Sequence, residues 1–459
     1  MPGSDWSREV KAPFTSVDAE KETSENPITA ESYRPAGKRS PRVDYSELIR
    51  PNKVHGSLYT NPDVFADELE RIWYKTWVFV GHTSEVPEPN DYVRKKLGPQ
   101  DVILTRDGDG EIHLLLNRCA HRANLVCDDS QGNSSSFRCP YHGWTYRNTG
   151  QLLGYPYNQG YGGKGKLELG MGAVPRVAIY QGFIFGSFAA DGPSLVEHLG
   201  EASGELDRLA GLSPEGEIEL TAGWLKHKTH ANWKLLAENE TDGYHPQFVH
   251  GSIFSVTGSP IGALYSDNST AVTRAFGNGH SENDLRPEFR KFAEPMRWFG
   301  TTPDRVPKYI DRMNAAYGDD AERIMIEGAP HVMIFPNLFI AEIQVFNIQP
   351  ISQNECVQYS TAVQLKGGEE LNKRMVSQSI GSIGPAGMLL ADDTEMYERN
   401  QFGVGMLKPD WVDIRRGEQR ESIDERGLTI GRATDETAMR AFWGNYLSIM
   451  QPETTEVDA

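Results

Sequence analysis

Two short clusters of metal-type donors constrain this chain more than any other feature: Cys119-Ala-His121, then seventeen residues, then Cys139-Pro-Tyr-His142. The surrounding residues fit two loops that pinch a single centre. Thiolates suit iron with bridging sulfides. Replacing two of four thiolates by neutral imidazoles removes negative charge and raises the potential of such a cluster. A tetrahedral Cys2His2 zinc site would use the same donors. Each half alone is a weak signal. Both halves together, with Arg122 behind the first and Gly143-Trp144-Thr145-Tyr146 opening a strand behind the second, favour a [2Fe–2S] cluster.

Composition fits an intracellular redox protein. There are four cysteines, and the paired motif uses two of them. Cys127 and Cys356 follow no pattern and read as buried thiols rather than a disulfide. No apolar run reaches the ~18 residues needed to cross a bilayer. The start, Met-Pro-Gly-Ser-Asp-Trp, has no basic region leading into an apolar core, so a cytoplasmic location is expected. With 46 basic and 64 acidic residues the net charge is −18, which argues against nucleic acid as a partner. A chain of 459 residues exceeds one compact core and predicts about two domains.

Shifts in composition set the expected organisation. Residues 1–50 are rich in Ser, Glu, Lys and Pro and read as a disordered or extended arm. Residues 51–75 carry a helix starting at Asn61-Pro62-Asp63, with Val64, Phe65, Leu69, Ile72 and Trp73 on the face that packs against the second domain. From Trp77 the apolar period drops to two. Strands are predicted at 78–80, 102–104, 113–116 and 183–188, giving a small all-β domain over 76–195 that holds the cluster. Residues 196–459 alternate predicted strands (221–229, 271–276, 332–335, 338–348, 357–365) with predicted helices (232–245, 304–317, 371–390, 435–451), after a helix at 195–209. That mixture predicts an α+β fold, an antiparallel sheet covered by helices.

A second constellation lies at Asp242-Gly-Tyr-His245-Pro-Gln-Phe-Val-His250, preceded by Asn232-Trp233-Lys234 and Glu238-Asn239. Ferrous iron that activates O2 needs hard or borderline donors and a vacant position, and two histidines with a carboxylate supply both. On an unbroken helix, residues five apart would splay by about 140°. Pro246 distorts the backbone beside His245, so the two rings can converge. Asp242 is placed to receive the second imidazole N–H of His245. A lone His-x4-His is more often packing than metal binding. Here a redox cluster in the same chain needs somewhere to send its electron.

On these two motifs the chain resembles the large (α) subunit of Rieske non-haem iron aromatic ring-hydroxylating oxygenases. The likeness runs from about Val54 to Gly431-Arg-Ala-Thr and Phe442-Trp443. The resemblance implies a Rieske domain with Cys119 and Cys139 on one iron and His121 and His142 on the other. It also implies a helix-grip-like catalytic domain with a curved antiparallel sheet. His245 and His250 would then bind a mononuclear Fe(II). The third ligand falls within Gly384-Pro-Ala-Gly-Met-Leu-Leu-Ala-Asp392-Asp393 and aligns with Asp393 rather than Asp392. Asp242 would be the catalytic carboxylate linking His245 to a cluster histidine of a neighbouring subunit in a ring of three α subunits.

The resemblance further implies an oxygenase that hydroxylates an aromatic ring with O2, by cis-dihydroxylation or by single-atom insertion, as in monooxygenases and O-demethylases. Electrons from NAD(P)H would come through a separate reductase, with or without a ferredoxin, because the chain has no Gly-rich dinucleotide loop. A small β subunit is left open. The spacing and C-terminal helix look closest to the terephthalate, anthranilate and salicylate branch, which favours an aromatic carboxylate. The candidate pocket residues are Asn239, Phe248, Val332, Phe335, Ile343, Phe346 and Leu389, with Arg274 and Arg399 as candidate carboxylate partners. A rival class is an electron carrier whose C-terminal part only docks partners.

Overall fold

The computed structural model describes residues 43–161, 169–257 and 261–451. Most of the expected arm, residues 1–42, lies outside them. Residues 43–50 correct that expectation. Asp44 caps a short helix, Tyr45–Leu48. Tyr45 is fully buried, edge-on to Tyr446, and its hydroxyl donates to Asp67 Oδ2 at 2.8 Å.

The helix Pro62–Glu68 starts where the sequence placed it. Asn61 caps the Asp63 N–H, and Pro62 occupies the first turn, where a missing donor costs nothing. A π-turn, Leu69–Trp73, continues it. Val64, Glu68, Ile72 and Trp73 are buried, while Phe65 and Leu69 are only half-buried. Trp73 meets Trp233 edge-on at 5.2 Å. Glu68 forms an ion pair with Lys234, and both side chains are fully buried.

Three small antiparallel sheets build the region that carries the paired Cys and His residues. Val78–His82, Phe183–Ser187 and Arg176–Tyr180 form one sheet. A second contains Asp91–Leu97, Gln100–Arg106, Ile112–Leu116 and Gln131–Asn133. The third is Ser136–Arg138, Thr145–Arg147 and Leu152–Gly154. Asn337 fastens this region to the rest of the chain. Its side chain donates to the Phe79 carbonyl and accepts the Phe79 N–H, both at 2.9 Å.

The remaining chain is organised on a nine-stranded antiparallel sheet among the described residues. The order is Leu225–Thr229, Glu355–Ala362, Gln344–Ser352, Leu338–Ala341, His331–Ile334, His280–Asp284, Val272–Gly277, Thr429–Arg432, Ser422–Ile423. Helices Trp233–Glu240, Leu390–Val404 and Thr437–Met450 cover one face. Ser203–Ala210, Pro307–Tyr317, Ala321–Glu327 and Glu369–Gln378 belong to the second core, on the other face.

Several expected elements are interrupted. The strand expected at 338–348 is a hairpin that turns at Glu342, whose φ is +48°. The helix expected at 195–209 breaks at Gly200, φ +50°. The helix expected at 371–390 ends with a π-turn at Ile383, and a new helix starts at Leu390. Pro385 excludes the helical conformation at Gly384, which is extended (φ −69°, ψ 165°). The helix expected at 232–245 stops at Glu240. Beyond it the chain runs so close to Ala433 that a Cβ on Gly243 would lie 2.0 Å from the Ala433 carbonyl oxygen. Only glycine fits there.

Candidate metal centres

The two donor loops of the β region repeat one hydrogen-bond pattern. Cys119 N–H donates to Asn124 O and Cys139 N–H to Trp144 O, both at 2.8 Å. Each cysteine carbonyl accepts from the residue four ahead, Ala123 or Gly143, at 3.0 Å. Both of those residues have positive φ, +61° and +71°. Each loop thus closes on itself and turns its cysteine inward. Cys119 and Cys139 are buried, while His121 and His142 sit nearer the surface, with ring centroids 4.6 Å apart.

Aromatic neighbours fix these groups. His121 stacks on Trp144 at 5.0 Å and 2°. The Tyr146 hydroxyl lies 3.1 Å from Cys119 Sγ and accepts the Ala120 N–H. Burial opposes ionisation of Cys139, yet the backbone N–H groups of Tyr141 and His142 and the Cys119 thiol hold its pKa below the ordinary value. His121 Nδ1 is buried with no partner among the described residues. Two inward, buried thiols and two imidazoles nearer the surface suit a [2Fe–2S] cluster. Cys127 and Cys356 are free, buried thiols.

The second centre forms where the helix Trp233–Glu240 has ended. His245 precedes and His250 follows a one-turn helix, Pro246–Val249. This turn, rather than a bent long helix, brings residues five apart together, with ring centroids 5.5 Å apart. Asp393 enters from the first turn of Leu390–Val404. Its Oδ1 lies 3.5 Å from His245 Nε2 and 3.2 Å from His250 Nε2. One donor atom from each of the three falls within 4.8 Å of the others. Asp393 Oδ1 and both Nδ1 atoms are buried without hydrogen-bond partners among the described residues. This borderline-and-hard donor set fits Fe(II).

Three carboxylates surround the triad differently. Asp242 sits in the turn, not on a helix, with Oδ2 3.4 Å from His245 Nδ1. Asp392 lies 3.7 Å from His250 Nδ1 and its side chain is 41% exposed, against 12% for Asp393. Glu240 is buried. Burial first, and the Asp393 charge second, push its pKa well above the ordinary range, although Gln358 Nε2 donates to it at 2.5 Å. For His250, burial works against protonation but Asp393 and Asp392 outweigh it and raise the pKa.

The expected pocket residues separate by sheet face. His331 faces this centre, its Nε2 2.8 Å from the Glu240 carbonyl oxygen. Val332, next along the strand, belongs with Ile343 to the core on the other face. Phe335 packs against Trp233 and Phe442, and Phe346 stacks on Phe339, which touches His331. Phe248 is 73% exposed, so it is no pocket wall. Leu389 is half-buried just before Asp393, and Asn239 donates to the Tyr397 hydroxyl at 3.2 Å. Arg274 is committed to Glu282, Asp284 and Asp424, and Arg399 to Glu395 at the surface. Neither is free to meet a substrate carboxylate.

Sequence reasoning missed Glu240, His331 and Gln358. The available signal was polar residues at strand positions that burial should reserve for apolar ones, as at Gln344, Gln358 and Ser360.

Comparisons with known proteins agree with this arrangement. The Rieske [2Fe-2S] domain family matches residues 76–176, and the ring hydroxylating alpha subunit (catalytic domain) family matches residues 218–452. The 2-halobenzoate 1,2-dioxygenase large subunit of Burkholderia cepacia is 29% identical over 81% of this chain and 83% of its own. The N,N-dimethyl phenylurea N-demethylase subunit alpha of Sphingobium sp. (strain YBL2) is 36% identical over 61% of each. A solved naphthalene 1,2-dioxygenase with indole bound in the active site superposes with a TM-score of 0.76, at 26% identity, over 89% of this chain and 95% of its own. With the catalytic-domain family spanning just over half of its length, the chain belongs to the Rieske-type ring-hydroxylating oxygenase alpha subunits, oxidoreductases that use O2.

Proposed function

We propose that this chain is the terminal oxygenase component for an aromatic carboxylate, with His245, His250 and Asp393 holding the mononuclear iron and Cys119, His121, Cys139 and His142 holding the cluster. The observation that carries the reading is the convergence of two imidazole Nε2 atoms on the buried Asp393 Oδ1, in a chain that also closes two Cys/His loops. The relative named for 2-halobenzoate supports a substrate bearing a carboxylate.

When bound, the mononuclear iron supplies vacant positions for O2, and the cluster supplies one electron at a time from a separate NAD(P)H-dependent reductase, directly or through a ferredoxin. The protein's residues do the rest. Asp242 Oδ2, 3.4 Å from His245 Nδ1, sets a negative charge beside that nitrogen and so favours the tautomer protonated there, which leaves Nε2 for metal. In a ring of three α subunits, with or without a small β subunit, the same carboxylate would face a cluster histidine of the neighbour and would link the two centres. Asp392 stands to His250 as Asp242 does to His245. Burial raises the pKa of Glu240, which disfavours a further negative charge beside the triad.

The relative named as an N-demethylase supports a second reading, insertion of one oxygen atom with loss of an alkyl group. One experiment separates the two. The protein, a compatible reductase and NADH are incubated with benzoates, N-methylated arylureas and labelled O2. Two labelled atoms in one ring product establish dioxygenation, and a demethylated arylurea with the labelled atom in trapped formaldehyde establishes the second reading. No O2-derived product from any aromatic compound would refute both. Among the described residues no helix is long and apolar enough to cross a membrane, which agrees with a cytoplasmic oxygenase.

A further inference from the structure

A row of side chains crosses six strands beneath the turn that carries the iron histidines. Thr273 pairs with Asn283, His331 with Ala341, Ala341 with Gln344, and Gln344 with Ala362. The pairing of Glu282 with Val332 brings Asn283 beside His331. Paired residues on an antiparallel sheet share a face. This face lies under the iron turn: His331 Nε2 contacts the Glu240 carbonyl at 2.8 Å, and Ser281 Oγ donates to Thr241 Oγ1 at 3.4 Å.

The row is polar where a sheet core is ordinarily apolar. Gln344 is 0% exposed and Asn283 1%. Both amide atoms of each lack a hydrogen-bond partner among the described residues, as does Thr273 Oγ1. Buried amides are normally paired, and an unpaired one costs the desolvation of each of its groups. Between them stand His331 and Ala341, and Ala362 follows Gln344 on the next strand, so small side chains flank Gln344 on both sides. The nearest guanidinium on these strands, Arg274, is consumed by three carboxylates.

We propose that Asn283 and Gln344 line the substrate cavity on this face and hydrogen-bond polar groups of the aromatic substrate, so that amides rather than a cation select it. This rests on the reading that His245, His250 and Asp393 mark the reacting centre. A carboxylate would use the amide N–H groups alone; a carboxamide or urea would use the carbonyls as well. An apolar arene would leave all four atoms unmet.

The test is equilibrium dialysis of the purified, metal-loaded protein and of Gln344→Leu and Asn283→Leu with labelled benzamide, benzoate and naphthalene. Each leucine variant should lose about tenfold or more in affinity for the better-bound polar ligand, a difference of about 1.4 kcal/mol, while naphthalene binding holds or improves. A loss confined to benzoate assigns an anionic substituent; one confined to benzamide assigns a neutral donor–acceptor group. The proposal is overturned if the wild-type protein binds neither polar ligand, if polar and apolar affinities fall together in both variants, or if neither changes. Iron content and visible spectrum of the same samples report the metal centres separately, so a failed iron assignment would show there and not in the ligand ratio.

Discussion

Asp242 divides its carboxylate between its own turn and the imidazole of His245. Oδ1 accepts the Tyr244 N–H at 2.6 Å, and Oδ2 stands 3.4 Å from His245 Nδ1. Asp242→Asn keeps the turn but removes the charge that fixes the His245 tautomer. Steady-state turnover should fall by about 10- to 100-fold or more, with most of the mononuclear iron retained. Iron content and product formation by the same sample check this, and unchanged turnover contradicts the assigned role.

The neighbouring acids Asp392 and Asp393 should separate cleanly. Asp393 meets both imidazoles, whereas Asp392 approaches only His250 Nδ1 from a partly exposed position. Asp393→Ala should remove the mononuclear iron and all product. Asp392→Ala should keep the iron with about 10- to 100-fold weaker binding. Iron titration of metal-depleted protein measures both, and the reverse ranking would transfer the ligand role to Asp392.

Glu68 and Lys234 pin the N-terminal helix to the catalytic domain. The Glu68 carboxylate also accepts from Trp233 Nε1 and from the Tyr446 hydroxyl, at 2.8 and 2.6 Å. Glu68→Gln leaves the Lys234 cation buried and unpaired, and should cost about 3–5 kcal/mol. Urea unfolding followed by tryptophan fluorescence reads this directly. A cost below about 1 kcal/mol would show that the pair contributes little.

His280 is buried as a neutral ring. Its Nε2–H donates to His198 O at 2.7 Å, and its Nδ1 accepts the Phe335 N–H at 2.9 Å. Burial lowers its pKa from 6.5 to about 4, against the smaller raising effect of the His198 carbonyl. A depressed pKa in the folded state means that the unfolded chain binds the extra proton. The stability it contributes is therefore complete above pH 6.5 and is lost as pH falls through about 4. That loss amounts to about 3 kcal/mol. His280→Gln, which retains one donor and one acceptor, should flatten this part of the stability profile between pH 7 and 4. An unaltered profile would exclude His280 as its source.

The two donor motifs were legible because metal chemistry restricts residue type and spacing more tightly than packing does. Cys119, His121, Cys139 and His142 lie on two facing loops, and His245 and His250 flank one helical turn beside Asp393. The strands at 78–80, 102–104 and 113–116 were legible as short apolar runs bounded by Gly, Pro and Asp turns. The arrangement around Gly243 was not, because it depends on the approach of Ala433 from almost two hundred residues away. Nor could local sequence separate Val332 from His331: both sit on one strand, and only the assembled sheet shows which face meets the iron turn. Phe248 looked like a pocket wall as one of several apolar residues, but the turn Pro246–Val249 leaves it 73% exposed. Gln344 and Asn283 sit at positions where packing favours apolar side chains.

The central claim is that two separate iron stations share this chain. Iron and acid-labile sulfide analysis of purified protein should give about three irons and about two sulfides per chain, with the visible spectrum of a cluster bearing two histidines. The same analysis of His250→Ala should give about two irons and an unchanged spectrum. Zinc in place of iron, or a His250→Ala protein that keeps its third iron and its turnover, would contradict the account.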